Sequence, residues 1–307
     1  MRLQQHRAGG FPLLLALPAA LFFFCYGCAT PLNHIGAFSR ATADLSKNAA
    51  SAYEEVNNTT IERRINDIAA ETGSTLDEAT FGAVVGGVDW RTRIDLLKAI
   101  EAYSRALSDL SSADFRKEID AASKDLYGAL GKLQGTYATI AKRPSPLTSD
   151  NLASIATAVD AIGTALAEER RREALRTVII QANPTIQRSM ELFREELSLL
   201  KDFVVSKLDT IYTEKVKAYQ RESKSLNFNS RVSRLRDVRS AYERMADTQA
   251  LLEHLTKAFA KIATAHQALY ENVVRNQFTS KALVSEIKEV AELAKTIKEF
   301  NDKLKKD

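Results

Sequence analysis

The stretch from Asn183 to Ile211 reads NPTIQRSMELFREELSLLKDFVVSKLDTI, and its apolar residues Ile186, Met190, Phe193, Leu197, Leu200, Val204, Leu208 and Ile211 return every three or four positions. That spacing puts all eight on one stripe of an α-helix, and a stripe held near a 3.5-residue period is the seam of a coiled coil. Asn183-Pro184 reads as an N-cap followed by proline at the first helical position, so a helix is expected to open there. Downstream, Ser225 to Ser230 breaks the pattern, and Val238, Met245, Leu252, Phe259, His266 and Val273 then recur every seven residues with Leu255, Ile262 and Leu269 between them. Two helices of about 40 residues each reach ~60 Å, so the pair is expected to fold as a rod-like antiparallel hairpin.

The same periodicity extends in both directions. Ser280 to Lys306 closes the chain with Leu283, Ile287, Val290, Ala294, Ile297 and Leu304. Upstream, Thr148 or Ser149 can cap a helix running through Leu152, Ile155, Val159, Ile162 and Leu166 to Val178. Pro144 and Pro146 stop the helix before it, because proline lacks an amide proton and clashes with the preceding turn. The sequence therefore divides into a front helical region, 35–143, and a rear long-helix hairpin bundle, 144–307. In the front region Ile35, Phe38, Thr42, Leu45, Ala49, Ala52 and Val56 step by three and four, and the helix is expected to end at Gly73. A connector, Gly73 to Val88, carries the string Gly82-Ala83-Val84-Val85-Gly86-Gly87-Val88, read as a loop packed over the bundle's end. Asp89 caps the next helix just ahead of Trp90; a break at Ser111-Ser112 precedes Phe115, Ile119, Leu126, Leu130, Leu133, Tyr137 and Ile140.

Composition agrees with an all-α fold, an elongated bundle of long antiparallel helices. Of 307 residues only 12 are Gly and 6 Pro, while 45% are hydrophobic, which supplies a core and excludes gross disorder. Of the 43 bases, Arg2 and Arg7 lie in the first ten residues; the other 41 face 39 acids, so no overall charge calls for a nucleic-acid partner.

The N-terminus sets the compartment. Arg2, His6 and Arg7 precede an apolar run from Phe11 to Phe24, the plan of a signal peptide over residues 1–27. Gly27-Cys28-Ala29-Thr30 then resembles the end of a bacterial lipobox, although Cys25 and Tyr26 stand where that family has Leu and a small residue. The resemblance implies cleavage before Cys28, diacylglycerol on its thiol and a further acyl chain on its amine. Ala29 in place of Asp implies sorting to the outer membrane, facing the periplasm, with 28–34 as a short tether to the helical body. Cleavage after Ala29, or retention of Phe11–Ala29 as an anchor, are the alternative fates of the same segment.

No catalytic constellation is legible. His254 and His266 stand twelve residues apart, not the three or four that let two imidazoles on a helix meet one ion, and His266 reads as a partnered core residue. Glu54-Glu55, Glu168-Glu169 and Glu195-Glu196 are adjacent and point about 100° apart on a helix. The chain is therefore read as a non-enzyme without a cofactor or metal. One cluster stands out: Lys215, Lys217, Arg221, Lys224, Arg231, Arg234, Arg236 and Arg239, against Glu222 and Asp237, flank the turn that holds Leu226 and Phe228. Folding the hairpin makes this a basic tip, a candidate contact for a partner or an anionic surface. The expected function is that of a lipid-anchored helical spacer meeting another envelope protein. The alternative is a binder of an apolar ligand between helices, in a cavity lined by Met190, Phe193, Met245 and Phe259.

Overall fold

The computed structural model describes residues 31–70, 84–85, 88–113, 116–163, 168–276 and 281–305. The signal peptide, Cys28, Phe115, Leu166 and part of the glycine string lie outside the described residues. The fold is all-α: α1 (Pro31–Ala70), α2 (Trp90–Ser112), α3 (Arg116–Ala141), α4 (Ser149–Gly163), α5 (Glu168–Glu222), α6 (Phe228–Val274) and α7 (Lys281–Leu304). Where a loop was expected, two short strands, β1 (Val84–Val85) and β2 (Val88–Asp89), pair antiparallel at the end of the connector, Val84 opposite Asp89 and Val85 opposite Val88.

Several expected boundaries fall where local chemistry puts them. The Asp89 carboxylate accepts from the amides of Arg91 at 3.1 Å and Thr92 at 3.4 Å, two of the donors a helix start leaves without partners. Helix α2 ends at Ser112, and α3 ends just ahead of the Pro144–Pro146 turn, where Lys142 adopts φ 49°.

Three boundaries differ. Helix α1 starts at Pro31, so residues 31–34 of the expected tether are helical; proline suits a first helical turn, and Leu32 is buried one turn ahead of Ile35 and Phe38. The single helix expected from Thr148 to Val178 is two, α4 and the beginning of α5. Conversely, α5 passes through Pro184 without the predicted restart. Asn183 does not cap there, because its side chain serves neighbours: Nδ2 donates to Gln267 at 2.9 Å, and Oδ1 lies 2.7 Å from Nδ1 of His266. Ala182, Thr185 and Ile186 around the proline are all buried, so packing holds the helix together despite the backbone hydrogen bond that proline cannot make.

Helices α1, α2, α5 and α6 form the centre, and each contributes to two aromatic layers. In one, Tyr53 of α1 meets Trp90 of α2, Phe193 of α5 and Phe259 of α6 with ring centroids 5.4, 5.8 and 6.3 Å apart. In the other, His266 of α6 takes Phe38 of α1 edge-on and hydrogen-bonds to Tyr103 of α2 and Asn183 of α5. The buried side chains form one continuous core, so the turn at 143–148 does not divide it. Helix α7 covers α1 and α6, joined to α6 by Lys261 with Glu286 and Glu289; α3 lies on α2, and α4 on α3 and α5.

Candidate functional site

Helices α5 and α6 run in opposite directions. Moving up α5 through Asn183, Gln187, Lys201, Tyr212 and Glu222 meets, in order, Gln267, Ala263, Glu253, Tyr242 and Arg234 on α6. The heptad residues in the lower part of this pair, from Ile186 to Leu208 and from Leu252 to Val273, are buried. Above that level α7 ends at Leu304, while α1 runs on to Ala70. No residue from 209 to 246 is buried, so the upper hairpin is an exposed two-helix arm, ~25 Å long at 1.5 Å per residue.

The base of the arm is clamped to the body by polar contacts. Arg244 reaches Glu55 at 3.4 Å and the Thr59 hydroxyl at 3.0 Å, both on α1, and Lys303 of α7 holds Asp247 at 2.7 Å. At the far end Asn227 caps α6, accepting from the Ser230 amide at 2.9 Å, and Phe228 is 70% exposed.

The eight bases expected at the tip all lie on this arm. Lys215, Lys217 and Arg221 are on α5, Lys224 is in the turn, and Arg231, Arg234, Arg236 and Arg239 are on α6. Arg234 bridges to Glu222 across the turn at 3.2 Å, and Arg231 donates to the Leu226 carbonyl at 2.7 Å, so these two brace the bend. Arg239 pairs along its own helix with Glu243 at 2.8 Å. Lys215, Lys217, Arg221, Lys224 and Arg236 are exposed. Exposed ions of this kind contribute little to stability and most to the field around the arm.

Sequence reasoning missed a second component of the arm. Tyr242 and Leu235 are 52% and 46% exposed, and Tyr242 lies against Tyr212 of α5 with centroids 5.6 Å apart. The available signal was a seven-residue interval, Phe228, Leu235, Tyr242, displaced by three positions from the stripe of Val238 and Met245.

Elsewhere the body offers less. Of the four residues expected to line an apolar cavity, Phe193 and Phe259 stack on one another at 4.7 Å and are fully buried with Met190, while Met245 is half-buried at the base of the arm. A groove of about 580 Å³ runs between α3 and α4 beside Arg116, Asp120, Tyr127 and Asp160, and one of about 570 Å³ lies between α6 and α7 beside His254, Lys257 and Glu292. Among the described residues no group of His, Cys, Asp or Glu is arranged to hold a metal, and no helix is long and apolar enough to cross a membrane. His266 is neutral: burial pushes its imidazole down to about 3, and the same burial holds the Tyr103 phenol well above its ordinary range. A scan against protein-family models and searches of curated proteins and of solved structures return no match to this chain.

Proposed function

We propose that this chain is a non-catalytic lipoprotein of the bacterial envelope, anchored through acylated Cys28, that holds a two-helix arm away from its membrane to contact another envelope protein. The observation that carries the reading is the polarity of the molecule. Phe38, near the start of α1, lies beside His266, whereas Glu55 and Thr59, further along α1, lie beside Arg244 at the base of the arm. Helix α1 therefore leads from the N-terminal end of the body toward the arm. Adding the turns from Pro31 to Phe38 and from His266 to Phe228 places the tip ~65 Å from the first residue of α1. Cys28 precedes that residue by three positions, so acyl chains there would sit at the end opposite the arm. Two or more such chains give stable anchoring without a spanning helix.

Metabolic labelling with an alkyne palmitate analogue, followed by fractionation of the envelope, tests the anchor. The native chain is expected to take the label and pellet with membranes; Cys28→Ala should lose the label and move to the soluble fraction. A Cys28→Ala chain that still pellets like the original would refute the lipid anchor.

A further inference from the structure

Tyr212 on α5 and Tyr242 on α6 touch, which fixes the register of one side of the arm. Seven residues toward the tip from each lie Tyr219 and Leu235, and seven more reach Leu226 and Phe228. Because a seven-residue step returns to nearly the same face of a helix, the pairs Tyr212–Tyr242 and Tyr219–Leu235 line one flank of the arm as successive rungs, and Phe228 at the start of α6, with Leu226 in the turn before it, closes the row at the tip. Tyr242, Leu235 and Phe228 on α6 are all exposed. This flank is distinct from the stripe joining α5 to α6, whose residues below the arm are buried. With Tyr242, Leu235 and Phe228 exposed although α1 runs on past Thr59, the flank has the form of two sides of a three-helix bundle.

Charge decides what fits. Lys215 falls one turn from both Tyr212 and Tyr219, Arg231 one turn from Phe228 and Leu235, and Arg239 one turn from Leu235 and Tyr242. Apolar and basic side chains thus alternate along the flank. We infer that this flank of the arm is the docking site for an acidic amphipathic helix of a partner protein, apolar residues at seven-residue spacing against the rungs and carboxylates against Lys215, Arg231 and Arg239. The inference rests on reading the chain as a protein-interaction module and gives that partner a chemistry. A second copy of the arm would bring like charges together along the whole contact. A flat lipid surface would require no matched heptad register on two helices, whereas a helix in a groove does.

Site-specific photocrosslinking in the native envelope tests this with the full chain. A benzophenone amino acid is placed at Leu235, at Tyr242, and at Lys217 as a control on the other side of the arm, and crosslinked peptides are sequenced. Positions 235 and 242 should mark one protein, at sites about seven residues apart in a single acidic amphipathic segment, while 217 gives no such adduct. Lys215→Glu with Arg239→Glu, both at exposed positions, should cut the yield about tenfold or more, a loss of ~1.4 kcal/mol, with helicity unchanged. Adducts to lipid, adducts of doubled chain mass, equal adducts from 217, a partner segment lacking acids, or no adduct would each overturn the proposal. The same experiment in a Cys28→Ala chain separates the two readings. Adducts that persist after membrane release leave the docking site standing whatever becomes of the anchor; a chain that stays membrane-bound without adducts does the reverse.

Discussion

The phenol of Tyr103 on α2 donates to Nε2 of His266 on α6 across 3.1 Å, and Nδ1 of the same ring donates to the Asn183 side-chain oxygen on α5 across 2.7 Å. One neutral imidazole thereby joins three helices inside an otherwise apolar layer, with each ring nitrogen satisfied. Tyr103→Phe keeps the ring but leaves Nε2 buried without a donor, which should destabilise by ~1–3 kcal/mol in urea unfolding. An unchanged midpoint would mean that the hydrogen bond contributes nothing.

Burial of His266 has a pH signature. Its folded value, about 3, lies below the 6.5 of an exposed histidine. Between those values the unfolded chain binds a proton that the folded chain refuses. The contribution is therefore complete above pH ~6.5 and is lost as pH falls toward ~3, with a slope of up to ~1.4 kcal/mol per pH unit. The difference between native and His266→Gln melting temperatures should narrow over that window. A constant difference from pH 7 to pH 4 would contradict a neutral buried ring.

Gly36 is where α1 approaches α2 most tightly among the described glycines: a methyl group added there would stand 2.7 Å from Oγ of Ser111. Gly36→Ala should therefore destabilise by ~1–3 kcal/mol, and adding Ser111→Gly should recover much of it. Strict additivity of the two substitutions in thermal melts would rule out the steric explanation.

Pro184 is exposed and lies inside α5. Replacing it with alanine supplies the missing amide donor to a helix already formed on both sides, so Pro184→Ala should raise stability, by up to ~3 kcal/mol. If α5 instead restarted at Asn183, the same change would be neutral or harmful, and calorimetry distinguishes the two.

The arm should be dispensable to the body. Leu235→Ser is expected to move the unfolding free energy by no more than ~0.5 kcal/mol, whereas Phe259→Ala, in the layer with Tyr53, Trp90 and Phe193, should cost ~3–5 kcal/mol. Equal effects would show that the arm's exposed flank carries stability rather than contact.

The sequence by itself determined the helical class, the Asp89 start, the Ser112 stop, the bend before Phe228 and which stripes of α5 and α6 are buried. Each depends on spacing along one helix or on a neighbour within four residues, and such chemistry is written locally. It also identified His266 as a core residue needing partners, but not Tyr103 and Asn183 as those partners, which come from 163 and 83 positions away. Only the tertiary structure decided that α5 runs through Pro184, because burial of Ala182, Thr185 and Ile186 outweighs a local signal that reads equally well as a start. It likewise decided where the body ends and the arm begins. Residues 209–246 keep the same period as the residues below them, and nothing in that period tells whether a third helix covers the stripe. Covering is a property of what packs alongside: α7 meets the hairpin at Lys303 and ends at Leu304, and α1, joined to it through Glu55 and Thr59, runs on to Ala70 without burying Tyr242, Leu235 or Phe228.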